Sequence, residues 1–304
     1  MKKTLLNGFI RVICASLLAL VVTTIAQAQS GTPTLTITSG SALNVDSSLT
    51  ATATTNAESG QGGAITFLIF AGSGSATVDP DTGLLTAIGA GTVTLIANST
   101  GDSNYYAAST SQLITIEKTT PTLTITSGNT MNVNDVLYVT EVTNASHSIG
   151  TLSYSVSNNT GAAIIDSSLG IVTSISAGSV TVTVTSSGNE DYNPVTVEQS
   201  IIIGMSTPTL TITSPNTLDV DGTLDATVVT SATFGRGGAI TFEITSGSGS
   251  ATVDASSGLL TGVGAGTVTL VANSAGDADY SASSTSQELI ISAITPTLTI
   301  TSSN

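Results

Sequence analysis

Three sets of oxygen-bearing side chains recur along the chain at matching places. Asn44-Val45-Asp46, Asn132-Val133-Asn134 and Asp219-Val220-Asp221 form one set. The pattern Gly-[Asp/Asn]-x-[Asp/Asn]-Tyr, at Gly101–Tyr105, Gly188–Tyr192 and Gly276–Tyr280, forms another. Asp79, Asp166 and Asp254 form the third. Two chemistries suit such sets. Short Asp and Asn side chains bond nearby backbone and stabilise turns. Oxygen-only clusters also suit a hard cation such as Ca2+. Catalysis is poorly served. Glycoside hydrolysis needs two carboxylates about 5–10 Å apart in a cleft, whereas in Asp79/Asp81 and Asp219/Asp221 the side chains leave alternate positions and diverge. Nucleophilic attack needs a base that orients a Ser or Cys. The single His of the chain, His147 between Ser146 and Ser148, reads as a surface loop residue. Gly89–Gly91 and Gly262–Gly266 join extended segments rather than opening a helix, so they are not phosphate loops. No catalytic residue is expected, and the chain reads as a non-enzyme.

Composition narrows the classes further. The chain has 304 residues, of which 8% are charged, with 20 acids against 5 bases. Nucleic-acid binding needs clustered Lys and Arg and is excluded. Residues 1–28 read as a cleaved secretory signal peptide. Lys2, Lys3 and Arg11 give the basic start, Val12–Ile25 the apolar run, and Ala26-Gln27-Ala28 the small-x-small cleavage pattern. The run is shorter than the roughly 20 residues a membrane helix needs. Without it, Lys118 and Arg236 stand against all 20 acids, a net charge of −18, and no Cys remains after Cys14 is removed. The mature chain is expected to be exported, extracellular or at the cell surface, with no membrane span. Disulfide-stapled and zinc-clip folds lack their ligands.

Repetition organises the remainder. Thr-Pro-Thr-Leu-Thr-Ile-Thr-Ser begins at Thr32, Thr120, Thr207 and Thr295. Residues 62–111 match 237–286 at 36 of 50 positions without a gap. The spacing predicts repeats over 29–118, 119–206 and 207–294, with 295–304 as the first strand of a truncated fourth copy. That last segment could instead complete the sheet of a neighbouring molecule by edge addition. Leu35 and Ile37 alternate with Thr, and Ala64–Phe70, Gly83–Ile88, Thr92–Ile96 and Gln112–Glu117 are rich in β-formers. With Leu49–Thr55 and Ser75–Asp79 this gives seven short strands per copy and a two-sheet antiparallel sandwich. Phe67, Tyr154 and Phe242 fall at the same place in each third strand and are expected to fill the space between the sheets.

The residues then resemble a known family. Ala76-Thr-Val-Asp79, Gly83-Leu-Leu-Thr-Ala87 and Ala90-Gly-Thr-Val-Thr-Leu95 are similar to the bacterial immunoglobulin-like domain, group 2. Ala251–Asp254, Gly258–Gly262 and Ala265–Leu270 repeat them, and Ala163–Asp166, Gly170–Thr173 and Ala177–Val182 are a looser copy. The resemblance covers nearly all of 32–294. It implies an all-β chain of three tandem immunoglobulin-like antiparallel β-sandwiches after the signal peptide. It also implies a spacer or presentation role, as in surface adhesins of the intimin and invasin kind, and carries no catalytic residue.

In a seven-strand sandwich the loop after the first strand lies at one end, and those after the fourth and sixth at the other. Stacked copies would bring Asn44 and Asp46 to Asp166, Asn189 and Asp191, and Asn132 and Asn134 to Asp254, Asp277 and Asp279. Ca2+ at these junctions is the one cofactor the residues call for. The expected function is an extracellular stalk or adhesion module for a protein or glycan surface ligand. The alternatives are a carbohydrate-binding module, using Tyr105, Tyr106, Tyr192 or Tyr280, and a spacer fragment of a larger secreted enzyme.

Overall fold

The computed structural model describes residues 31–245 and 247–301. The expected signal peptide, 1–28, lies outside the described residues, as do the last three residues of the expected fourth copy. The described residues form 27 β-strands and no helix, so no helix among them is long and apolar enough to cross a membrane.

The first copy contains β1 (Leu35–Ile37), β2 (Ala42–Asn44), β3 (Ser48–Thr50), β4 (Ala53–Thr55), β5 (Ile65–Ala71), β6 (Ser75–Val78), β7 (Leu84–Gly89), β8 (Gly91–Ser99) and β9 (Ala108–Glu117). One sheet has the order β2-β9-β8-β5, and facing it are β3-β7-β6 and the pair β1-β4. The seven expected strands become nine because two of them change partners midway. The first pairs antiparallel with β4 through Leu35↔Thr55, then crosses to run parallel to β9 through Ala42↔Thr115. The second passes from β7 to β1. At the handover Ala51 N–H donates to Gly83 O at 2.7 Å and Thr38 N–H to Thr52 O at 2.8 Å.

The same sheet orders recur in the other two copies. In the second they are Thr130–Asn132, Val195–Gly204, Gly178–Ser186, Leu152–Asn158 and Val136–Tyr138, Ile171–Ser176, Ala162–Ile165. In the third they are Thr217–Asp219, Ser283–Ser292, Gly266–Ser274, Ile240–Thr245 and Thr223–Asp225, Leu259–Gly264, Ser250–Val253. A two-sheet Greek key with an opening strand shared between the sheets is the immunoglobulin-like arrangement. The chain is all-β and built of immunoglobulin-like sandwiches.

Alternation sets the cores. On β8, Val93, Leu95 and Ala97 are buried while Thr94 and Ile96 between them face outward. Ile114 and Ile116 of β9 and Leu85 and Ala87 of β7 complete the first interior. Each such large aliphatic side chain contributes about 1.5–3 kcal/mol. Phe67 and Phe242 are buried as expected. Tyr154 is half-buried, and its hydroxyl donates to Glu141 Oε1 at 3.1 Å. Burial and the Glu141 carboxylate raise its pKa. Gly83, at φ +71°, lies against the Phe67 ring, where an added Cβ would also meet Ala51 O at 2.4 Å. Only Gly fits both demands.

The chain divides into two compact units. Of the described residues, one comprises 31–121, Ala145–Gly150 and Gly188–Pro194, the other Thr122–Asn144, Thr151–Ser187, 195–245 and 247–301. The division departs from the repeat boundaries, because two loops of the second copy pack with the first copy. Hydrogen bonds described next explain that grouping.

Candidate functional site: a polar lock made twice

The site begins with a strained turn. Asp46, Asn134 and Asp221, at φ 64°, 71° and 61°, occupy the left-handed region that Asn and Asp tolerate better than other side-chain-bearing residues. The neighbouring valine anchors the first two turns: Val45 and Val133 are buried. Val45 N–H donates to Glu117 O and Val133 N–H to Gly204 O. The turn thus holds its central side chain outward from a fixed base.

The Gly-[Asp/Asn]-x-[Asp/Asn]-Tyr loops supply the other half. Their first acidic or amide position organises the loop itself. Asp102 Oδ1 accepts from the N–H groups of Asn104 and Tyr105, Asn189 Oδ1 from those of Asp191 and Tyr192, and Asp277 Oδ1 from those of Asp279 and Tyr280. Backbone donors hold the Asp102 and Asp277 carboxyls below the usual carboxylate range. The tyrosine that ends each of the latter two loops is wholly buried, Tyr192 at 0% and Tyr280 at 1% exposure.

In the first unit Tyr192 Oη donates to Asp46 Oδ2 at 2.6 Å. Ser146 Oγ donates to Asp46 Oδ1, and Ser146 N–H donates to Oδ2 at 3.3 Å. Burial lifts the Asp46 pKa, but the hydrogen bonds from Ser146 and Tyr192, with nearby His147, outweigh it and leave the carboxyl below its ordinary value. Burial, then the Asp46 bond, raises Tyr192. Asp191 Oδ1 accepts from Ala90 N–H at 2.7 Å, Asp191 O from Thr119 N–H at 3.2 Å, and Asn189 O from Lys118 Nζ at 2.6 Å. His147 Nδ1 lies 2.6 Å from Ser146 Oγ. Ser, His and Asp are together, yet the order differs from a nucleophilic triad. There the acid orients the imidazole. Here Ser146 Oγ–H donates directly to the Asp46 carboxylate, so the hydroxyl is held rather than activated.

The second unit repeats the device with other atoms. Asn134 Nδ2 donates to Tyr280 Oη at 2.7 Å, and Thr233 Oγ1 donates to Asn134 Oδ1 at 3.0 Å. Thr233 N–H also donates to Tyr280 Oη at 3.1 Å. Burial pushes the Tyr280 pKa up, but the donors from Thr233 and Asn134 and the Arg236 charge outweigh it and lower it. Asp279 Oδ1 accepts from Ala177 N–H at 2.7 Å and Asp279 O from Ser206 N–H at 3.0 Å. Arg236 Nη1 bonds Asp279 Oδ2 at 2.7 Å and Ile175 O at 2.8 Å, with the guanidinium 5.8 Å from the Phe234 ring.

Of the residues named from sequence, Asp46, Asn189 and Asp191 therefore lie in one lock, and Asn134, Asp277 and Asp279 in the other. Asp166 accepts from Ser168 and Leu169 N–H, and Asp254 from Ser256 and Ser257 N–H, inside their own turns. Gly258 O, at the end of the Asp254 turn, accepts from Ala226 N–H at 2.9 Å within the third copy. Asn44 O accepts from Ser47 N–H, and Asn132 N–H donates to Asp135 Oδ2 at 2.8 Å. Among the described residues no three or more His, Cys, Asp or Glu side chains group closely enough to hold a metal ion. The sequence reading missed Ser146, Thr233, Arg236 and the Ala90 and Ala177 amides. One signal was available: Ser146 and Thr233 follow the same Ala in aligned loops, where the first copy has Glu58.

Fold and site together define a tandem immunoglobulin-like repeat protein. No family model matches the chain, and no curated protein matches it. Among solved structures it is similar to the Sidekick-1 immunoglobulin domains 1–5, at 14% identity over 86% of this chain and 58% of that one, TM-score 0.29. It is similar to an ICAM-5 ectodomain fragment at 12% identity over 85% and 76%, TM-score 0.32. The three N-terminal domains of the bacteriophage RB49 Highly Immunogenic Outer Capsid protein match at 15% identity over 86% and 100%, TM-score 0.26. At scores this low the fold rests on the strand order and register above.

Proposed function

We propose that the chain is a non-enzymatic, exported repeat module of the bacterial immunoglobulin-like kind that spaces or presents an adhesive element outside the cell. The observation that carries this reading is the lock made twice, at Asp46 with Ser146 and Tyr192 and at Asn134 with Thr233 and Tyr280. Both buried tyrosines spend their hydroxyls on a turn of the preceding copy, so each lock ties a loop of one copy to the copy before it. Protease added to intact cells that express the chain tests the reading. Cleavage of the chain from outside is expected, and a chain that stays protected until the cells are lysed would overturn it.

Ca2+ at the junctions is carried as part of the same proposal for the Asp46 turn, which presents a carboxylate where Asn134 presents an amide. Thermal melts with Ca2+ and with chelator measure it, and superimposable curves would end it.

A further inference from the structure

The outward face of the β2-β9-β8-β5 sheet differs among copies that are otherwise close relatives. In the first copy Leu68, Phe70 and Leu113 are 43%, 60% and 60% exposed there, beside Ile96. Register makes the four contiguous: Leu68 pairs with Ile96, Phe70 with Thr94, and Thr94 with Leu113. The third copy keeps the register but has Glu243, Thr245, Val271 and Glu288 at these places. The second copy has Ser155, Ser157, Thr183 and Ser200. Folding therefore does not require the four apolar side chains, because the same strands form without them.

We propose that this face of the first sandwich is where two copies of the chain associate face to face. Charge selects the occupant. With 20 acids against 5 bases, two copies repel each other over most of their surface. This face carries one acid, Glu117 at the last position of β9, while the corresponding third face carries Glu243, Glu288 and Asp219. An apolar patch is also complementary to itself across a two-fold axis. Edge pairing through β5 is the competing route, and it is obstructed: Phe67 N–H on that edge already donates to Pro80 O at 3.0 Å. Three strands about 4.8 Å apart and about 23 Å long give on the order of 300 Å2 per copy. That places the pair in the small, transient interface class.

Sedimentation velocity of the full chain, from about 1 µM to about 1 mM and at low and high NaCl, tests the proposal. A monomer–dimer equilibrium is expected, tightening as salt screens the acids. The variant L68E/F70T installs the third copy's residues and should weaken association at least tenfold, with L113E acting in the same direction. The reverse variant, E243L/T245F/E288L, should create a second adhesive face and drive association beyond the dimer. A chain that stays monomeric throughout, a L68E/F70T variant that dimerises like the parent, or a reverse variant that gains nothing would each overturn the proposal. So would capture of monomeric chain by a glycan or membrane through Leu68.

Discussion

The locks at Asp46 and Asn134 solve one geometric problem with opposite hydrogen-bond polarity. Both use a left-handed turn residue, a buried tyrosine and a hydroxyl from the aligned loop. A carboxylate only accepts, so Tyr192 and Ser146 both donate to Asp46. An amide donates and accepts, so Asn134 gives its N–H to Tyr280 and takes the Thr233 proton. The tyrosine hydroxyl permits either arrangement because it can donate or accept. Charge is handled differently as well. Asp279 meets Arg236, whereas the first unit's Lys118 bonds a carbonyl, Asn189 O. A lock of this kind is specified by shape and by complementary donors, with residue identity free to drift between copies.

The comparison breaks most readily at the tyrosines. Tyr192→Ala or Tyr280→Ala empties a fully buried ring site, and each should cost about 3–5 kcal/mol in denaturant unfolding. Equal, negligible losses would show that the locks do not hold the loops. Arg236→Ala comes next, leaving a mostly buried carboxylate, Asp279, with only the Ala177 amide; about 1–2 kcal/mol is expected, after allowing for the one-third exposure of the guanidinium. No described residue of the first unit offers an equivalent substitution, so this measurement isolates the difference in charge handling.

Acid titration sharpens the contrast further. The folded pKa of Asp46 is lowered, so its contribution is present above the ordinary carboxylate pKa and is lost as pH falls through the lower folded value. Asp46→Asn should therefore flatten part of the loss of stability below about pH 4, and Asn134→Asp should steepen it. Urea midpoints across pH 2–6 read both, and parallel profiles for all three proteins would sink the assignment. The smallest effect is expected at His147. It is exposed, and the Ser146 hydroxyl beside it already donates to Asp46, so His147→Ala should shift the midpoint by no more than about 0.5 kcal/mol.

Much of the fold could be read from the residues. Thr alternating with Leu, Ile and Val fixed which faces are buried, and Phe67 and Phe242 lie where their shared position placed them. Two things could not. The partner changes at Ala51 and between Ile37 and Ala42 leave no mark in a period-2 pattern, because alternation reports the buried face and not the neighbouring strand. The hydroxyl partners of Asp46 and Asn134 were not legible either, because Ser146 and Thr233 stand about 100 positions further along the chain.

Local residue chemistry by itself determined the strands, the turns and the threefold repetition, because backbone sterics and side-chain alternation act within a few residues. Only the tertiary structure decided that Tyr192 meets Asp46 and Tyr280 meets Asn134, 146 positions away in each case. Such pairings depend on where whole sheets end, and no local preference of the chain encodes that distance.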